Sequence, residues 1–259
     1  MSTAEVDAYL RRLGVEQPAW PTVDALRELH LRHLETVPFE NLSIHLGEEI
    51  VLEGKRLLDK VVEARRGGFC YELNGLFALL LEELGYTVTR AGARVYGGSG
   101  FGPPFDHLAL LVSAPDGDGP WLADVGFGRH SSYPLRVDAR DEQVDPGGRF
   151  RVADADGGDL DVYRDDQPQY RIERRPRALA DFAPTCWGQQ SRPDSHFRKS
   201  PVATRLDGDD RVTLSDRTLI RTSGTARTET ALNSDEEVLS AYRTHFGIDL
   251  DRLPTPPES

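Results

Sequence analysis

Cysteine is scarce in this chain: among 259 residues only Cys70 and Cys186 occur. With no CxxC pair and no series of spaced cysteines, neither a disulfide framework nor a zinc site is expected, and a reducing compartment fits best. Long hydrophobic runs are also missing. No segment approaches the roughly 18 consecutive apolar residues of a membrane span, and the opening MSTAEVDAYLRRLGVE lacks a charged region followed by an apolar stretch. Export and insertion are therefore not expected, and a cytoplasmic location is. Positive charge is the minority sign, with 31 Lys and Arg against 43 Asp and Glu and a net charge of -12. That balance excludes a broad nucleic-acid footprint, which needs clustered Lys and Arg. It leaves room for a polyanionic ligand only where a few donors converge locally. Internal repeats and low-complexity tracts are absent.

What remains is a chain 38% hydrophobic and 29% charged, enough for one large domain or two to three small ones. Its texture changes twice. Residues 1–85 read as helical: DALRELHLRHLETV and RLLDKVVEARR space Leu, Val and Ala by three and four, with Pro38 and Gly47 between them. CYELNGLFALLLEELGY reads as a further helix that starts at or just before Cys70 and is closed by Gly85. His30 and His33 lie three apart on the earlier helix; with no third ligand nearby they read as surface histidines and not as a metal site. Over 86–193 the pattern becomes short β-prone runs, TVTRAGARVY, HLALLVSA, WLADVGF, RFRVADA, DLDVYR and QYRIERR, separated by Gly, Pro and Asp turns. An antiparallel sheet or small barrel is expected, with DADGGDLD as a hairpin turn because an EF-hand's closing glutamate is missing. Residues 194–259 suggest two strands in RVTLSDRTLIRTS, an amphipathic helix in DEEVLSAYRTHFG with Asp235 near its start, and a frayed end at PTPPES. The fold class expected is α+β.

Cys70 follows Arg65-Arg66-Gly67-Gly68-Phe69 at the start of a helix, where open backbone N–H groups and the helix dipole favour a thiolate. The two glycines permit a sharp turn and close approach of another group. His107, at the mouth of the apolar run HLALLV, is placed to accept a thiol proton if that strand passes the helix start. Asp124 ends the next β-prone run after the turn PDGDGP, so hairpin pairing would bring its carboxylate beside the imidazole. Spacing alone does not select these three from seven histidines and many acids.

The strings VPFENLSIHLG, RRGGFCYELNGLF, DHLALLV and ADVGFG, in this order, resemble the arylamine N-acetyltransferase family, with a weaker likeness in SHF (195–197) and HFGIDL. The core around Cys70 is the specific part; the others count in combination. The resemblance implies a helical bundle, a β-barrel and an α/β lid with a cysteine protease-like triad of Cys70, His107 and Asp124. It further implies an acetyl-Cys70 intermediate formed from acetyl-CoA as co-substrate, and transfer to an arylamine, arylhydroxylamine or hydrazine without a metal. The positions matching the family's acceptor pocket are Phe39, Tyr71, Val95 and Phe127, with Phe105 a neighbour; ordinary core packing is the competing explanation for each. Gly126 and Gly128, in the turn after Asp124, match the family's contact with the CoA diphosphate, Arg129 beside them is expected to join the cofactor contacts, and His130 stands nearby. Gly97-Gly98-Ser99-Gly100 reads as a flexible loop beside the site, since Pro103 replaces a required glycine of a dinucleotide loop. Arg198 and Lys199 read as a solvated basic turn, and Cys186 as passive. Three other readings keep part of this picture: an amide synthase closing a macrolactam from a carrier-bound polyketide, a thiol hydrolase or transglutaminase-like enzyme, and a non-catalytic binding module. A monomer or homodimer is expected.

Overall fold

The structure is a computed structural model that describes residues 1–257 apart from positions 116 and 118. Two residues of the expected turn PDGDGP, and the last two of PTPPES, thus lie outside the described residues. Helix α1 (Thr3–Leu13) begins at Ser2, whose hydroxyl accepts from the Glu5 N–H while the Glu5 carboxylate reaches back to the Ser2 N–H at 2.8 Å. Helix α2 (Val23–Thr36) is capped by Thr22. Pro38 follows it, then the two-residue strand β1 (Phe39–Glu40) and α3 (Leu42–Leu46), which Gly47 ends in the left-handed conformation. Helix α4 (Gly54–Leu58) runs on into a π turn over Asp59–Glu63, and α5 (Cys70–Glu83) stops one residue before Gly85.

Eight antiparallel strands follow: β2 (Thr87–Val95), β3 (His107–Ser113), β4 (Trp121–Ala123), β5 (Leu135–Arg136), β6 (Gln143–Asp145), β7 (Gly148–Asp154), β8 (Leu160–Arg164) and β9 (Gln167–Pro176). Their order in the sheet is β5-β4-β3-β2-β9-β8-β7-β6. The two edges are brought together by the Gln143 side chain, which accepts from the Arg136 N–H at 2.8 Å and donates to the Arg136 carbonyl at 2.9 Å. This makes a nearly closed barrel. Helix α6 (Ala183–Ser191) leads to a second sheet of β10 (Val202–Asp207), β11 (Asp210–Ser215), β12 (Thr218–Ser223) and β13 (Ala226–Ala231), and α7 (Asp235–Ala241) continues into a π turn over Tyr242–Phe246. No helix among the described residues is long and apolar enough to cross a membrane.

Strand β3 explains why HLALLV is an unbroken apolar run. Leu108, Leu110 and Val112 face the helical core, whereas Ala109 and Leu111 face the barrel interior, so both faces are buried. Each such leucine stabilises the fold by about 1.5–3 kcal/mol of burial. A third core joins α3 to the second sheet: Leu42 and Leu46 pack with Val212, Leu214, Tyr242 and Phe246, and β1 pairs with β10 through Phe39↔Thr204 and Glu40↔Ala203. Residues 39–46 therefore sit among the helices in sequence but with the C-terminal sheet in space. The end of the chain is tied down where fraying is expected: Pro254 is buried and the Thr255 N–H donates to the His45 carbonyl at 2.9 Å.

Candidate active site

The Arg-Arg-Gly-Gly turn places Cys70 by crossing the Pro38–Glu40 segment at van der Waals range. A Cβ on Gly67 would lie 1.9 Å from the Pro38 carbonyl oxygen, and one on Gly68 would lie 2.6 Å from Glu72 Oε2. The Glu40 N–H donates to the Gly68 carbonyl at 2.8 Å. Beneath this crossing the fully buried Glu40 accepts from Arg66 Nε at 3.0 Å. Burial pushes the Glu40 carboxyl up, but the Arg66 and Lys60 charges outweigh it and hold the group below its ordinary range. The chain then turns extended at Phe69 (φ -101°, ψ -170°), whose N–H donates to Glu72 Oε2 at 3.1 Å, and α5 begins at Cys70. The Cys70 and Tyr71 N–H groups occupy the first helical positions, where no i−4 carbonyl exists within the helix.

Strand pairing supplies the partners. The β3–β4 register, Leu110↔Ala123 and Val112↔Trp121, brings His107 at the start of one strand beside Asp124 at the end of the other. His107 Nε2 lies 2.8 Å from Asp124 Oδ2, both groups are buried, and Nδ1 is the ring nitrogen left for Cys70. Burial disfavours the imidazolium, yet the charge and hydrogen bond of Asp124 and the adjacent Cys70 side chain prevail, raising His107 to about 10. Asp124 is driven the opposite way: burial opposes its ionisation, and His107 more than compensates, so it stays a carboxylate well below its ordinary range.

Asp124 is held from every side, by Tyr170 and Asn74, which the sequence motifs alone leave unassigned, and by Gly126. Tyr170 donates to Oδ2 at 2.9 Å, Asn74 Nδ2 to Oδ1 at 2.8 Å, and the Gly126 N–H to Oδ1 at 3.0 Å. Asn74 stands one turn after Cys70 on the same face of α5, and its Oδ1 also accepts from the Val125 N–H at 3.0 Å, which locks the loop to the helix. The Asp124 N–H donates to His30 Nε2 at 3.1 Å, so His30 carries its proton on Nδ1, which donates to the Ser132 carbonyl at 3.0 Å. This corrects the surface placement of His30 and His33: both are fully buried, and His33 Nε2 meets the Tyr9 hydroxyl at 2.9 Å. The signal for it was present, because Leu26, Leu29, His30, His33 and Leu34 form one buried stripe of α2.

Cys70 opens onto a cavity of about 740 Å³ where the helices, the barrel and the second sheet meet. Phe39, Val95 and Phe127 line it, as do His107, Phe197 and Val202. Tyr71 and Phe105 do not. Tyr71 is one position round the helix from Cys70, so its ring turns into the core against Phe69 and Phe182, with its hydroxyl donating to the Phe105 carbonyl at 2.9 Å. Phe105 (φ 61°) packs edge-on against Phe182. Two polar residues not singled out from the sequence also face the cavity: Asp106, pushed up by burial, and Gln189, whose Nε2 donates to Asp106 Oδ1 at 3.1 Å.

Gly126 lines the same cavity, but its N–H is committed to Asp124 and a Cβ there would stand 2.7 Å from Cys70 Cα, so bareness at 126 serves the seating of Cys70. Gly128 (φ 84°) abuts the Phe39 ring, and Arg129 and His130 line a different cavity. The 97–100 run is a tight turn closed by the Gly97 N–H to the Gly100 carbonyl at 2.9 Å, with Gly97 at the cavity wall. Arg198 is not a solvated charge, since it donates to the Gln190 and Ser191 carbonyls at the end of α6.

A buried imidazole between a helix-start cysteine and a fixed carboxylate, in an apolar cavity, is an arrangement able to activate a thiol. A sequence model of the N-acetyltransferase family matches residues 22–254, and the chain belongs to the arylamine N-acetyltransferase family, enzymes of the acyltransferase class. It is 33% identical over 258 residues to the arylamine N-acetyltransferase of Mycolicibacterium smegmatis, covering 96% of this chain and 94% of that one. It is 36% identical over 201 residues to the arylamine N-acetyltransferase / N-hydroxyarylamine O-acetyltransferase of Salmonella typhimurium, covering 76% and 71% respectively. Among solved structures, the arylamine N-acetyltransferase of Mycobacterium marinum in complex with CoA superposes with a TM-score of 0.86 at 32% identity over 94% of this chain and 92% of that one.

Proposed function

We propose that this chain is an arylamine N-acetyltransferase that carries the acetyl group on Cys70 between acetyl-CoA and an arylamine, arylhydroxylamine or hydrazine. The observation that carries this reading is the His107 ring set between Cys70 and Asp124 at the wall of the 740 Å³ cavity. In the first half-reaction His107 already holds the proton on Nδ1, and the Cys70 sulfur attacks the thioester carbonyl carbon as the thiolate. The carbonyl oxygen of the tetrahedral intermediate meets the open Cys70 N–H at the start of α5. Collapse breaks the bond to the CoA sulfur, which leaves with the proton from His107. In the second half-reaction the amine nitrogen attacks acetyl-Cys70 and gives its proton to neutral His107, and the Cys70 thiolate departs. Asp124 keeps the ring oriented and stabilises each imidazolium.

A weakly basic aromatic amine is neutral at pH 7 and so enters as a nucleophile. The rings of Phe39, Phe127 and Phe197 suit a flat apolar acceptor. The test is intact-mass analysis of the protein after acetyl-CoA, then after a panel of arylamines and hydrazines. The expected result is one acetyl group on Cys70 that persists in buffer and leaves on amine addition. Failure to acetylate counts against the donor, and rapid loss in buffer alone points to a hydrolase.

A further inference from the structure

A second cavity, of about 440 Å³, opens between the barrel and the second sheet, and three arginines from separate elements line it. They are Arg129 in the loop after Asp124, Arg164 at the end of β8 and Arg211 at the start of β11. We propose that Arg129, Arg164 and Arg211 form a binding site for a phosphate-bearing anion.

Convergence of three guanidinium groups in one cleft of an acidic protein is costly unless a negative partner arrives. Arg164 Nε is buried without a hydrogen-bond partner among the described residues, and its nearest carboxylate, Asp165, stands 3.6 Å away. Arg211 has a neutral partner, donating to Thr204 Oγ1 at 3.3 Å. Burial and then the charges of Arg129 and Arg164 depress Arg211 to about 10, and burial and Arg129 pull Arg164 down against the opposing charges of Asp165 and Asp145, which places the three within each other's fields.

The acids at the rim do not complete the set. Glu35 is already paired with Arg32 at 2.5 Å, Asp165 is shared with Arg149, and Asp209 and Asp210 are exposed on the β10–β11 turn. Space for a ligand is kept by glycine: a Cβ on Gly148 would lie 2.9 Å from Arg164 Nε. Planar guanidinium forks arranged around a gap suit tetrahedral phosphate oxygens, which accept from several donors at once.

The phosphate has two possible sources. Strand β10 joins the cavities, with Val202 in the Cys70 cavity and Leu206 in this one, roughly 13 Å apart at about 3.3 Å per residue. An extended CoA spans that distance, so its 3′-phosphate is one source; this arm, unlike the site itself, rests on the function proposed above. A separate phosphate-bearing small molecule is the other.

The experiment uses the full chain and Arg129→Gln, expected at its exposed position to keep the circular dichroism spectrum of the wild type, together with Arg211→Gln. Calorimetric affinities for CoA and 3′-dephospho-CoA are compared, and the melting temperature is followed against inorganic phosphate at constant ionic strength with chloride as control. CoA binding about tenfold or more tighter than dephospho-CoA, with the difference lost in Arg129→Gln, supports the site and assigns it to the donor's own phosphate. Equal affinities, with phosphate raising the melting temperature of the wild type and not of Arg129→Gln, support a separate ligand. No effect of phosphate beyond chloride together with equal affinities overturns the proposal, as does phosphate or CoA discrimination that survives in both variants. Acetylation of wild-type Cys70 by p-nitrophenyl acetate, a donor without phosphate, reports on the Cys70 chemistry separately, so failure of one reading is not mistaken for failure of the other.

Discussion

Cys70 and Cys186 are both buried, at 4% and 1% exposure, both belong to helices, and both pack in the same helical core. They differ in what they face. Cys70 opens α5 at the wall of a cavity, beside an imidazole fixed by a carboxylate. Cys186 sits inside α6, where its sulfur accepts from the Gln190 amide at 3.4 Å and burial drives its thiol well above the ordinary range. On the function proposed above, burial of the residue then does not separate the two thiols. Access for a carbonyl carbon and a nearby proton acceptor do.

Removing each sulfur breaks the comparison most sharply. Cys70→Ala is expected to lower acetyl transfer by on the order of 10⁴-fold or more with an unchanged circular dichroism spectrum, whereas Cys186→Ala keeps activity within about twofold. Equal losses in steady-state assays would mean that the two sites share a structural role only. Next in size is Asp124→Asn, which keeps the size of the side chain but replaces one accepting oxygen with an NH2 group and removes the charge that raises His107. Its expected cost is about 10³–10⁴ in acetylation rate, measured by stopped flow. Iodoacetamide at neutral pH should then alkylate Cys70 on the order of 10²-fold faster than Cys186, read by peptide mass analysis, because only Cys70 pairs cavity access with His107.

The specific motif around Cys70 and the apolar run after His107 make the α+β class and the helix start at Cys70 legible in the sequence alone. Local strings carry those features: glycines at a crossing, a hydrophobic strand buried on both faces, Gly85 past a helix end. What stayed hidden depends on contacts distant in sequence. His30 lies 94 residues from the Asp124 N–H it accepts, and Tyr170 lies 46 residues from the Asp124 carboxylate. Strand β1, a pair of residues between helices, joins the second sheet only because Phe39 and Glu40 find β10. Tyr71, expected at the acceptor pocket, lies outside the lining of the Cys70 cavity for a local reason: next to Cys70 in sequence, it is turned by about 100° round the helix. Arg129 follows the glycine turn after Asp124 and is expected among the cofactor contacts; it lines the second cavity, with Arg164 and Arg211.

The smallest expected effect concerns how His107 is charged. Its pKa is raised from 6.5 to about 10, so the folded state holds a proton that the unfolded chain releases near pH 6.5. The stabilisation from that proton is fully present below about pH 6.5 and is lost as pH rises through about 10. Melting temperature measured from pH 6.5 to 10 should therefore fall by a few degrees in the wild type, and this part of the slope should vanish in Asp124→Asn, where the carboxylate that holds the proton is gone. Tyr170→Phe removes one hydrogen bond to Asp124 Oδ2 and leaves His107 as its partner there, so it should retain most of the slope while slowing acetylation by about tenfold. A flat profile in the wild type would mean that the imidazole rests neutral in the folded enzyme. The Cys70–His107 pair would then form its charges only as the thioester arrives, and the contrast with Cys186 would rest on access alone.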